Sequence, residues 1–120
     1  MVDRFSTLAC SHTSRQHSIG QSAFNQFIVG QGGGSVSVTL TSAVETFPDG
    51  SLLPTVTVGL GVGTVANGAC TLFANAFLAA QASSVAQLSG TLAAGTYCVA
   101  VSDITNQLGP VSYAVAVSHP

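Results

Sequence analysis

In SVSVTLT, Ser35 to Thr41, every second position is apolar. Val36, Val38 and Leu40 point one way; Ser35, Ser37, Thr39 and Thr41 point the other. That is the period of a half-buried strand in an antiparallel sheet. The pattern returns in PTVTVGLGVGT, Pro54 to Thr64, where Val56, Val58, Leu60 and Val62 alternate with Thr55, Thr57, Gly59, Gly61 and Gly63. It returns in LAAGTYCVAVSD, residues 92–103, as a turn feeding a strand. There Tyr97, Val99 and Val101 share one face and Cys98, Ala100 and Ser102 the other. In VSYAVAVS, residues 111–118, Val111, Tyr113, Val115 and Val117 line one side.

Shorter strands are expected at FNQFIV (24–29), at 70–73 and at 85–91. Turn chemistry separates them. GQGGG (30–34) reads as a mobile turn or linker, Pro48-Asp49-Gly50 and Ala66-Asn67-Gly68 as tight turns, and Asn106 to Pro110 as a loop. ANAFLAAQASS (74–84) is ambiguous: its alanines favour helix, while the β surroundings favour a strand followed by a loop. Seven or eight short strands without a long helix predict an all-β, antiparallel β-sandwich, with a small barrel as the alternative. A parallel sheet would need crossover helices that the pattern lacks. Residues 1–23 carry neither a helical stripe nor clean alternation, so they read as an arm, flexible or ordered against a partner, ahead of a single domain over residues 24–120.

Charge changes the picture. Of 120 residues only 5% are charged, against roughly 25% in an ordinary soluble domain. There is no lysine, the arginines are Arg4 and Arg15, and from residue 16 onward the charges are Glu45, Asp49 and Asp103. Nucleic-acid binding and electrostatic attachment to an acidic membrane need clustered cations, so neither partner is expected. Little repulsion keeps copies apart. A Ser, Thr, Gly, Asn and Gln surface suits an extracellular protein, or one that packs on its own kind. No window holds eighteen continuous apolar residues, so no transmembrane span is expected. MVDRFSTLAC does not read as a signal peptide; Leu8-Ala9-Cys10 matches the end of a lipoprotein signal without its hydrophobic segment.

The last thirty residues carry a resemblance. Leu92, Gly95 and Tyr97 form a Leu-x-x-Gly-x-Tyr turn that enters a strand through Val99 and Val101. A shorter strand follows with Tyr113, Val115 and Val117. Together with SVSVTLT and a first strand bearing Phe24 and Phe27, this resembles the bacterial pre-peptidase C-terminal domain family over roughly residues 24–118. The resemblance implies a non-catalytic, jelly-roll-like sandwich that accompanies secreted enzymes. Some members bind collagen or carbohydrate, and some bind calcium through clustered acids near the first strands. Here Glu45 and Asp49 are the only acids in that half after Asp3. In the oxidising compartment that the resemblance implies, Cys70 and Cys98 are a candidate disulfide, with two buried free thiols as the alternative. Cys10 is then left over: free, joined to another subunit, or lipid-linked.

No catalytic or metal constellation stands out, and no cofactor is expected. His12, His17 and His119 lack zinc-ligand spacing and read as loose polar residues of the chain ends. No nucleophile elbow is present, and Asp103 reads as a turn-capping carboxylate. GQGGG lacks the Gly-Lys-Ser or Gly-Lys-Thr of a phosphate loop. No paired carboxylates are placed for glycoside hydrolysis.

Gly59, Gly61 and Gly63 leave one face of their strand almost bare. Each costs about 0.5–1 kcal/mol relative to Ala, so three in alternation call for either close approach of another backbone, sheet or ligand, or twist or barrel-like bending. A flattened, uncharged face and an arm anchored at Phe24 and Phe27 point to self-assembly into a filament, sheath or surface layer, with the arm crossing to a neighbour. The alternative is an accessory module of a secreted enzyme that targets a polysaccharide or protein polymer. The chain has no Trp, and Tyr97 and Tyr113 fall in phase with core valines, which disfavours the carbohydrate version.

Overall fold

A computed structural model of the chain describes residues 2–8, 22–102, 104 and 111–120. Cys10, His12, His17, Asp103 and the loop at 106–110 lie outside them. Nine strands lie among the described residues: β1 Val2–Leu8, β2 Ser22–Val29, β3 Gly34–Thr46, β4 Leu52–Leu53, β5 Val58–Ala66, β6 Ala69–Ala80, β7 Leu88–Leu92, β8 Gly95–Ser102 and β9 Val111–Ser118. Every pairing is antiparallel. Sheet I runs β1-β9-β3, with β7 and β4 both on the far side of β3; sheet II runs β2-β8-β5-β6. With the two-residue β4 set aside, every connection except the β5–β6 hairpin crosses from one sheet to the other. That is the connectivity of a jelly roll.

The strand count exceeds the seven or eight read from the sequence because β4 and β1 add to it. β1 falls within the segment read as an arm and pairs with β9 from Val2↔Ser118 to Leu8↔Ser112. The stretches at 70–73 and 74–80 fuse into the single strand β6, and residues 81–87 form the loop after it.

The alternating apolar positions meet between the sheets. Phe27 and Val29 of β2, Val36, Val38 and Leu40 of β3, Val56, Val58, Leu60 and Val62, Val99 and Val101 of β8, and Val111, Tyr113, Val115 and Val117 of β9 lie in one buried cluster. A bulge between Leu40 and Ser42 shifts the phase of β3 against β9. Beyond it Ala43 and Glu45 face inward. The loop after β6 is tied to β3 by Gln87, whose side-chain oxygen accepts from the Leu40 N–H at 2.8 Å. Its amide in turn donates to the Gln81 carbonyl at 2.9 Å.

GQGGG is a hydrogen-bonded turn. Gly33 N–H donates to Gly30 O at 3.0 Å, and Gly30 N–H donates to Pro120 O at 3.2 Å. Gly32 and Gly33 take φ of 91° and 68°, left-handed backbone that favours glycine. His119 is not a loose polar residue. It continues the inward phase of β9, is 4% exposed, and packs its ring 5.5 Å from that of Phe27. In the Pro48-Asp49-Gly50 turn, the Asp49 carboxylate accepts from the Ser51 hydroxyl at 2.6 Å and from its N–H at 2.9 Å. The hydroxyl, then the N–H, hold its pKa below the usual value.

Both tyrosines are core residues. Tyr97 donates from its hydroxyl to Ala93 O at 2.7 Å, four residues upstream. This is the back-bonded corner that locks the entry into a strand, and it gives the Leu92-x-x-Gly95-x-Tyr97 pattern its physical sense. Tyr113 donates to Asn25 Oδ1 at 3.3 Å, and burial pushes its pKa up to about 12. A folded-state pKa above the unfolded value near 10 leaves stability intact below pH 10 and erodes it as pH rises towards 12. The absorbance change at 295 nm that Tyr113→Phe removes is therefore expected to titrate near pH 12. A midpoint near 10 contradicts this assignment.

Candidate interaction surface

The outer face of sheet II is built by register. Opposed residues of an antiparallel pair point to the same side, so Phe24, Gln26 and Ile28 of β2 stand beside Ala100, Cys98 and Thr96 of β8. Ser102, Ala100 and Cys98 in turn stand beside Gly59, Gly61 and Gly63 of β5, and Gly61 and Gly63 beside Phe77 and Leu72 of β6. One row, Phe24–Ala100–Gly61–Phe77, crosses all four strands. None of these residues is charged.

The glycine column is covered from within the chain. A Cβ placed on Gly59 would lie 2.7 Å from Phe77 Cζ, and one on Gly61 would lie 2.8 Å from Leu72 Cδ1. Phe77 and Leu72 thus lie over the bare stretch of β5, as aromatic side chains do over glycines in other sheets. At Gly63 the neighbour is backbone: a Cβ there would lie 2.6 Å from Leu72 Cα and collide with the Thr71 carbonyl. Close approach and bending meet at these glycines: the approaching backbone is that of β6, the neighbouring strand of the same sheet, where the pairing bulges between Gly61 and Gly63.

That approach closes the disulfide between Cys70 and Cys98. Cys98 pairs with Gly63, while Cys70 pairs with Val65 on the other side of β5. In a flat sheet, two strand spacings and a two-residue offset would separate their Cα atoms by about 11–12 Å, beyond the span of a disulfide. The actual separation is 5.9 Å. β6 therefore curls across β5 at Gly63, where the missing side chain lets the backbones meet. Cys98 is fully buried and Cys70 half-buried.

The large apolar side chains left open on this face are Ile28, 64% exposed, Phe77, 48%, and Phe24, 36%, with the uncharged Gln26 and Thr96 exposed beside them. Two ridges stand about 10 Å apart, Phe24 and Ile28 on β2 and Leu72 with Phe77 over β5, with β8 as the floor between them. Phe27 does not share this face. Three residues from Phe24 is an odd step in a strand, so Phe27 points into the core and stacks 5.9 Å from Tyr97. Strand parity contained that signal. Ile28 and Phe77 were not singled out in the sequence: Ile28 sits in a short strand without clean alternation, and Phe77 in the helix-or-strand segment 74–84.

Among the described residues, no three His, Cys, Asp or Glu side chains come together to hold a metal. No helix among them is long and apolar enough to cross a membrane. Compared with family models, with curated proteins and with solved structures, the chain matches none.

Proposed function

We propose that the protein is a non-catalytic, extracellular structural module that associates with copies of itself through the outer face of sheet II. The observation that carries this reading is the exposure of Ile28, Phe77 and Phe24 on one uncharged face. Exposed apolar side chains gathered this way mark contact surfaces. An identical face is a compatible partner because neither copy brings charge to be desolvated, and a ridge–floor–ridge relief allows two copies to interlock about a two-fold axis. Strands of eight residues give a face of roughly 500 Å² per copy. The total near 1,000 Å² sits at the lower bound for a specific interface. Association through this face alone is thus weak, as suits a subunit that gains strength from many neighbours. The disulfide supports an oxidising compartment.

A second reading rests on the Tyr97 corner and its Leu92 and Gly95 flanks. They fit the resemblance to pre-peptidase C-terminal domains and with it an accessory module that binds a polymer.

Sedimentation velocity over a range of concentrations, with negative-stain microscopy, separates the two. The wild-type chain is expected to form particles above 12 kDa, and Ile28→Asp to shift them to smaller size while keeping its unfolding midpoint. A wild-type chain that stays monomeric at millimolar concentration sinks the self-association reading and favours the binding module.

A further inference from the structure

β7 has one partner. Its residues Leu88 to Leu92 pair with Val38 to Gly34 of β3, and among the described residues no strand lies against its other edge. Natural sheets blunt such an edge with charge, proline or a covering element. Leu88-Ser89-Gly90-Thr91-Leu92 has no charge and no proline, and neither does the loop before it.

The edge also borders a hole. By register Gly90 stands opposite Val36 in the inward phase, between Leu88 and Leu92, which pack half-buried on the core. Yet a Cβ added to Gly90 meets nothing within 4 Å. Across from it β6 bulges: Gly61 pairs with Phe77 and Gly63 with Leu72, so four residues of β6 face the single residue Val62. The two sheets part there and leave a cleft of about 100 Å³ bounded by Val36, Val62, Ala76, Leu88 and Leu92.

The segment reads nearly the same in both directions: Leu, Ser, Gly, Thr, Leu. In an isologous contact residue i of one copy faces residue j of the other and the reverse, so about a two-fold axis this near-palindrome sets like residues against like. The geometry points to a second copy of the chain as the occupant of this edge. β7 pairs antiparallel with the other copy's β7 about a two-fold axis at Gly90, joining two sheets I into one. Leu88 then stands opposite Leu92, Ser89 opposite Thr91, and Gly90 opposite Gly90. The four leucines close the mouths of both clefts, and each outer hydroxyl meets a hydroxyl. This contact uses a different surface from the face of sheet II and stands without it.

Cysteine cross-linking tests the register. In a Cys10→Ser background, Gly90→Cys places two thiols opposite each other, with Cα atoms about 4.5–5.5 Å apart, inside the range a disulfide spans. The open space at Gly90 admits the side chain without disturbing the fold. Mild oxidation is expected to yield mainly covalent dimer from Gly90→Cys and little from Ser89→Cys alone. A mixture of Ser89→Cys and Thr91→Cys chains is expected to give the heterodimer. Equal cross-linking at all three positions, or none at Gly90 in a folded chain, overturns the proposal. A second arm needs no oxidation. Gly90→Lys sets two ammonium groups against each other at the axis and is expected to weaken β7-mediated dimerisation at least about tenfold. Unchanged sedimentation of a folded Gly90→Lys chain also overturns it. Ile28→Asp leaves this contact intact, so failure of the sheet II reading and failure of this one are separable.

Discussion

Gly63→Val is expected to destabilise the protein by about 3 kcal/mol or more, the upper end for overpacking a well-filled site. The cause is contact with main chain. The added Cβ would collide with the Thr71 carbonyl and lie 2.6 Å from Leu72 Cα, and neither can swing away as a side-chain tip does. Either β6 lifts off β5, taking the pairing at Gly63↔Leu72 with it, or β5 leaves β8. Gly61→Ala is the graded comparison. Its added atom meets the movable end of Leu72 first, at 2.8 Å, and the Ala76 carbonyl only at 3.2 Å. Gly90→Ala is the neutral one. It enters open space, and the loss of unfolded-state freedom gives a gain of up to about 1 kcal/mol. Urea unfolding of the three variants should rank them Gly63, Gly61, Gly90 from most to least damaging. A Gly63→Val midpoint equal to that of Gly90→Ala removes the close approach of β6 from the account of this sheet.

The period of two made the fold legible in β3, β5, β8 and β9. There each apolar residue is anchored by a polar or small neighbour, and a one-residue slip would expose the whole set. Legibility failed where that contrast is missing. VDRFSTL of β1 mixes charge and apolarity without alternation, yet it pairs along its full length with β9. In β6 the run ACTLFANAFLAA carries a bulge midway, so neither period fits it from end to end. The surface was less legible than the core for the same reason. Three alternating glycines announce a close approach but not its source, and Leu72 and Phe77 that supply it lie in the irregular strand. Phe27 and His119 show the converse. Strand parity alone sends both inward, and a reading of residue type without parity puts them on the outside.

Removing the disulfide with a Cys70→Ala, Cys98→Ala double variant is expected to cost about 3–4 kcal/mol. The loop it closes spans 28 residues, and the loss of loop-closure entropy from the unfolded chain sets the magnitude. For a domain of this size that corresponds to a fall in Tm of roughly 10–20 °C, read by calorimetry. The bond also has a local task that chain entropy does not capture. It draws β6 across β5, against the direction in which a flat sheet would keep Cys70 and Cys98 apart. If the disulfide holds β6 down on Gly63, the two perturbations must couple. Gly63→Val costs less in the double-alanine background, where β6 is free to lift, than in the wild type. A cycle of the four proteins should show a coupling of about 1 kcal/mol or more, and strict additivity means that β6 keeps its position without the bond. The consequence reaches the surface. β6 carries Leu72 and Phe77, one of the two apolar ridges on sheet II, so lifting the strand uncovers the glycine column and dissolves the relief that two copies would share. Self-association through that face should therefore disappear in the double-alanine variant even at temperatures where it remains folded. The proposed pairing through β7, on the opposite sheet, is expected to persist.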